Sequence, residues 1–195
     1  MNRRGGDGGF QRFGSGGSAG LPTATPLDHG MVGWTLDPRE VQAGTILPAS
    51  GTLNVARVKA MSALATNVLL HFTAGGVTLT AGYAGLYTDA GALLSSSADH
   101  SAALSNWQGG GLKTVPLLAA QAVTPGNWYK VAWFAAGTTM PTLSRGLNSS
   151  TAILNANLSA ANSNFATADT GLTTALPNNI GVLTGGATAW WVGLS

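Results

Sequence analysis

Three histidines, seven carboxylates and no cysteine are available for metal, acid–base or thiol chemistry in this chain of 195 residues, and their spacing favours none of the three. His29, His71 and His100 lie far apart, without the close pairs from which zinc sites are usually built. His71 falls inside a strand pattern, where a packed or hydrogen-bonded ring is expected. Asp89 and Asp99 are the pair that glycoside hydrolysis would need. Asp89 is explained by a turn, however, and Asp99 by a loop, where aspartate bonds its own backbone. His100-Ser101 carries little information in a serine-rich chain, and Gly109-Gly110-Gly111 lacks the Lys and Ser/Thr of a phosphate loop. A protein without catalytic residues, metal or cofactor is expected.

The aromatic residues offer a better lead. Trp107 sits in the polar run Ser105-Asn106-Trp107-Gln108-Gly109, where a flat indole would stack on a sugar or seal a subunit contact. Asp99, Asn106, Trp107 and Gln108 therefore form a candidate glycan-binding set, the alternative being an indole folded back over the end of the domain. Trp128, Trp133, Trp190 and Trp191 lie in strand patterns, and at least half of them belong in the core. Near the N-terminus, Phe10 and Phe13 flank Arg12, with Arg3 and Arg4 upstream. That spacing suits an arm that drops two rings into a neighbour's apolar pockets while its cations meet acids or carbonyls.

The elements that must hold these residues read as strands. Val68, Leu70 and Phe72 alternate with Leu69 and His71, and the runs Tyr83–Tyr87 and Leu93–Ser97 flank Asp89-Ala90-Gly91, a hairpin connection. Leu53, Val55 and Arg57 alternate with Asn54, Ala56 and Val58. Leu112–Leu118 alternates around Pro116, which points to an edge or a bulge. Pro125-Gly126 turns into Asn127–Phe134, whose aromatic content marks a central strand. The segment after Arg145 is rich in asparagine and poor in helix propensity, so an irregular excursion is expected, with a strand at Phe165–Ala168 and room for a helical turn near Leu154. The apolar run Thr188–Leu194 requires a paired strand.

About eight strands and no regular helix define an all-β protein, an antiparallel two-sheet β-sandwich of jelly-roll type with an extended Gly-rich N-terminal arm. Residues 1–20 form the arm, 21–50 a Pro-containing extended linker with a short edge strand in Met31–Leu36, and 51–195 the sandwich domain. Its expected core includes Val55, Leu70, Leu86, Val115, Val131, Phe134 and Trp191.

Charge sets further bounds. Only 8% of residues are charged, against roughly 25% in ordinary soluble domains, so a permanently assembled protein with neutral faces is expected, most simply a trimer. Arg3, Arg4 and Arg12 against Asp7 give the arm a net charge of +2, and the remainder balances six basic residues with six acidic ones. The body thus lacks the clustered cations of a nucleic-acid surface. A secretory leader and a membrane span are not apparent, which leaves assembly in the cytoplasm as the expectation.

Several of these runs also resemble a known family. Asp28-His29-Gly30 with Trp34, Ala84–Leu94, Leu112-Lys113-Thr114, Asn127–Phe134, Phe165–Ala168 with Gly171–Thr174, and Ala189-Trp190-Trp191 look like the β-sandwich module of tailed-phage minor tail and fibre proteins, particularly in phages of actinobacteria. The resemblance covers residues 28–195 and omits the arm. It implies a non-enzymatic component on the virion surface, assembled in the host cytoplasm, with capsid or tail proteins as partners. It leaves open head decoration or tail fibre, and a host cell-surface glycan as ligand.

Overall fold

The computed structural model describes residues 24–46, 48–102, 107–146, 154–186 and 188–195. Twelve strands are found among them: β1 (Gly33–Trp34), β2 (Gln42–Ile46), β3 (Leu53–Lys59), β4 (Leu64–Ala74), β5 (Val77–Thr88), β6 (Leu93–Ser96), β7 (Gly111–Ala122), β8 (Trp128–Thr139), β9 (Thr142–Arg145), β10 (Phe165–Ala168), β11 (Thr184–Gly185) and β12 (Val192–Leu194). They form two antiparallel sheets packed as a sandwich, one ordered β1-β12-β4-β9-β2 with β7 also on β4, the other β11-β10-β3-β8-β5-β6. On β4, Val68 pairs with both Val115 and Leu194, and Phe72 with both Gly111 and Leu143. Strand β7 therefore lies along one edge of β4, while β12 and β9 share the other. Of the seven connections from β2 to β9, six pass between the sheets, the β5–β6 hairpin being the exception.

Local chemistry accounts for the main elements. In β4 the alternation sends Val68, Leu70 and Phe72 into the core. The β5–β6 turn closes as Gly91 N–H donates to the Thr88 carbonyl at 2.9 Å, and Gly91 takes φ +97°, which a residue without Cβ adopts at little cost. In β7, a register shift falls between Gln121 and Pro116, and nearby Leu117 bridges to Ser97 of the other sheet. A residue without an N–H is tolerated where the ladder is broken.

Strand β8 is central, between β3 and β5, and is buried without a break from Lys130 to Ala136 because both faces of that middle part are covered. Val131, Trp133 and Ala135 face the inter-sheet core; Ala132, Phe134 and Ala136 join a second cluster with Leu176 and Leu183 from the late excursion. All seven residues expected in the core are buried. The excursion's asparagines hold its shape: the Asn155 side-chain carbonyl accepts from Asn164 N–H at 2.7 Å, and its amide donates to the Phe165 carbonyl at 3.3 Å. The stretch 21–50, read from its prolines as an extended linker, carries β1 and β2 inside the first sheet. Strand β1 sits at the edge against β12, and β2 pairs with β9. Its prolines open short 3-10 turns at Pro26–His29 and Pro38–Glu40, where a missing N–H is harmless.

Candidate functional site

The residues proposed for glycan binding do not form an open platform. Trp107 is fully buried, edge-on to Phe72 (5.5 Å) and Trp133 (5.7 Å) and stacked beside His100 (6.1 Å). The indole is folded back into the end of the core, because its large apolar area gains more there than its polar neighbours in sequence suggest. Gly82 makes room for it: a Cβ there would lie 2.9 Å from Trp107 Cε3. Asp99 Oδ1 accepts from the Gly82 and Ser101 amides, both at 2.9 Å, and Oδ2 from the Ser101 hydroxyl at 3.0 Å. Gln108 donates its amide to the Ser101 carbonyl at 3.0 Å. Asp99 and Gln108 thus brace one loop around Ser101. Asn106 lies outside the described residues, as do Arg3, Arg4, Phe10, Arg12 and Phe13.

Every aspartate among the described residues is engaged in holding the fold. Asp28 accepts from the Thr25 amide and hydroxyl at the first 3-10 turn, which lowers its pKa. Asp37 binds the Arg39 side chain and amide, which brings its pKa down to about 2. Asp169 accepts from Gly181 N–H at 3.0 Å. Asp89 takes a bidentate pair from Arg57, at 2.7 and 2.6 Å, which depresses its pKa, and the Lys130 ammonium donates to its backbone carbonyl. Burial of Lys130 lowers that ammonium's pKa, with the nearby Asp89 opposing. No group of three His, Asp or Glu gathers at metal-binding distance among the described residues.

Two surface features stand out instead. Beside the Asp89 cluster, Trp128 is 39% exposed, with the Arg57 guanidinium 4.8 Å and the Lys59 ammonium 5.9 Å from its ring centre. Of the four tryptophans in strand patterns, Trp133, Trp190 and Trp191 are buried, as expected of at least half of them, and Trp128 is the one that is not. Its place one residue after the Pro125-Gly126 turn and Asn127 was the available signal that the ring opens to solvent.

The second feature is a groove of ≈ 490 Å³ on the outer face of the first sheet. Its walls include Met31 and Val41 from the 24–46 stretch, Leu69 and His71 of β4, Leu112 of β7 and Trp191, and among the described residues that line it none is Asp, Glu, Lys or Arg. His71 Nδ1 is hydrogen-bonded to the Ser144 hydroxyl at 2.6 Å, which fixes the ring as the sequence suggested, and the Trp191 backbone N–H donates to the Ser144 carbonyl at 3.1 Å. Met31 lies across Gly193, where a Cβ would sit 2.2 Å from its terminal methyl. Nothing local in the sequence announces this groove, since its walls come from five separate segments. No known protein family's sequence profile matches the chain, and no curated protein matches it in sequence.

Proposed function

We propose that this chain is a non-enzymatic structural component of a phage virion, a surface-exposed sandwich held to capsid or tail proteins by its arm, Met1–Gly20. It serves as a minor tail or fibre protein or as head decoration, and is assembled in the host cytoplasm. The observation that carries this reading is the use of the aspartates: each of the five described, Asp28, Asp37, Asp89, Asp99 and Asp169, braces a turn, a loop or a cation, so these five carboxylates are spent on rigidity. The proposal includes jelly-roll connectivity, supported by the facing orders β2-β9-β4-β7 and β3-β8-β5-β6 and by the repeated crossing between sheets. It also includes a homo-oligomer, a trimer, supported by Leu64 and Leu118, 54% and 71% exposed on β4 and the outlying strand β7.

Deleting residues 1–20 tests the anchor. The truncated body should fold, judged by its circular dichroism and cooperative melting, yet be missing from purified particles by mass spectrometry. Incorporation at normal copy number would overturn the role of the arm.

A second reading, a glycan-binding adhesion module, is favoured by exposed Trp128 with Lys59 beside it, a pairing suited to an acidic sugar. Trp128→Ala should then abolish retention of the protein on host cell walls while leaving its melting temperature nearly unchanged. Unaltered retention would remove this reading.

A further inference from the structure

Among the described residues, the walls of the groove on the first sheet carry no formal charge, and the stretch that forms one of them is acidic. Asp28, Asp37 and Glu40 against Arg39 give residues 24–46 a net charge of −2, while residues 1–23 carry +2. The described chain begins at Ala24, and its first 3-10 turn ends on His29, itself a wall residue. Ala24 is thus five positions before a wall residue of the groove. Within that segment Phe10 and Phe13 are its two aromatic residues, three apart and separated from Ala24 by a tether rich in Gly and Ser.

We propose that the groove is the resting place of the chain's own Phe10-Gln11-Arg12-Phe13 segment, the two rings against Leu69, Leu112, Met31 and Trp191 and Arg12 towards the acidic 24–46 stretch. Ten residues, 14–23, reach at most about 35 Å when extended, enough to turn back onto an adjacent face. A void of about 150 Å³ suffices for a benzene ring, so ≈ 490 Å³ admits both phenyl groups. A short tether holds its cargo at millimolar effective concentration, which favours the chain's own arm over that of a neighbour in dilute solution. The arm is thereby sheltered before it meets any other protein. This inference concerns the isolated chain and stands whether or not the protein belongs to a virion.

Arg12 lies between the two rings, so trypsin reads the docking directly. Cleavage of the Arg12–Phe13 bond in the full chain, followed by mass spectrometry, is compared with cleavage in a synthetic peptide of residues 1–23. Proteolysis tracks the undocked population, so cleavage should be slowed by at least about tenfold in the full chain. Leu112→Lys, a change at a position 56% exposed, should restore the peptide's rate with the near-ultraviolet circular dichroism unchanged. Phe10→Ser in the arm, which leaves the body's packing untouched, should do the same against a peptide carrying that substitution. Cleavage at the peptide's rate in the parent overturns the proposal, as does protection that survives both variants. Protection that grows with protein concentration places the arm in a second copy and overturns it equally.

Discussion

Truncation of Val131 to alanine probes the centre of the sandwich. Val131 has no exposed surface and points from β8 into the inter-sheet core, opposite Ala56 on one side and Leu86 on the other. Removing two methyl-sized groups forfeits about 1.6 kcal/mol of transfer free energy at roughly 0.8 kcal/mol each. With β8 clamped by strands on both edges and covered on both faces, the site collapses little. A residual void of roughly 50 Å³ at about 24 cal/mol per Å³ adds about 1.2 kcal/mol. The expected destabilisation is about 2 to 4 kcal/mol, or a fall in melting temperature of roughly 5 to 15 °C for a protein of this size. Urea unfolding followed by tryptophan fluorescence gives the value, provided the slope with denaturant is unchanged. Val182→Ala, at a position 90% exposed, is the matched control and should move stability by less than about 0.5 kcal/mol. A cost for Val131→Ala as small as the control's would refute the inward register of β8.

Trp107→Ala should cost about 3 to 5 kcal/mol, because the indole closes the end of the core on Phe72 and Trp133; a glycan-platform residue would lose binding with stability intact, and calorimetry with a sugar-retention assay separates the two. Stability should fall in acid. Asp89, Asp28 and Asp37 all have depressed pKa values in the folded state, so their contribution is complete above the ordinary value of 3.8 and is lost as pH drops towards the value of about 2 held by Asp37. Asp89→Asn should flatten that part of the pH profile, and an unchanged profile in urea titrations would show that its bond to Arg57 contributes nothing. Light scattering of the body should give the mass of a trimer, and Leu118→Lys should reduce it to a monomer; a monodisperse parent monomer would refute the assembly reading.

Much of the fold was legible because strand periodicity is local. Val68, Leu70 and Phe72 alternate, Gly91 permits the tight turn after Asp89, and the run Phe165–Ala168 forms the strand expected of it. The asparagines after Arg145 likewise announced an irregular course, since their amides compete for backbone partners. Burial is decided by what lies opposite, and that is not local. Trp107 has polar neighbours in sequence yet fills the gap between Phe72 and Trp133, whereas Trp128, in a strand pattern, opens to solvent beside Arg57 and Lys59. The prolines of 21–50 correctly marked breaks, but the terminal strand β12 offered an unpaired edge that β1 completes, and β9 did the same for β2. The sequence alone determined the alternation, the turns and the shortage of charge. Which face each strand buries, and the groove whose described walls come from five distant segments, had to wait for the tertiary structure, because side-chain contacts between the sheets outweigh local preference wherever a large apolar surface finds a partner.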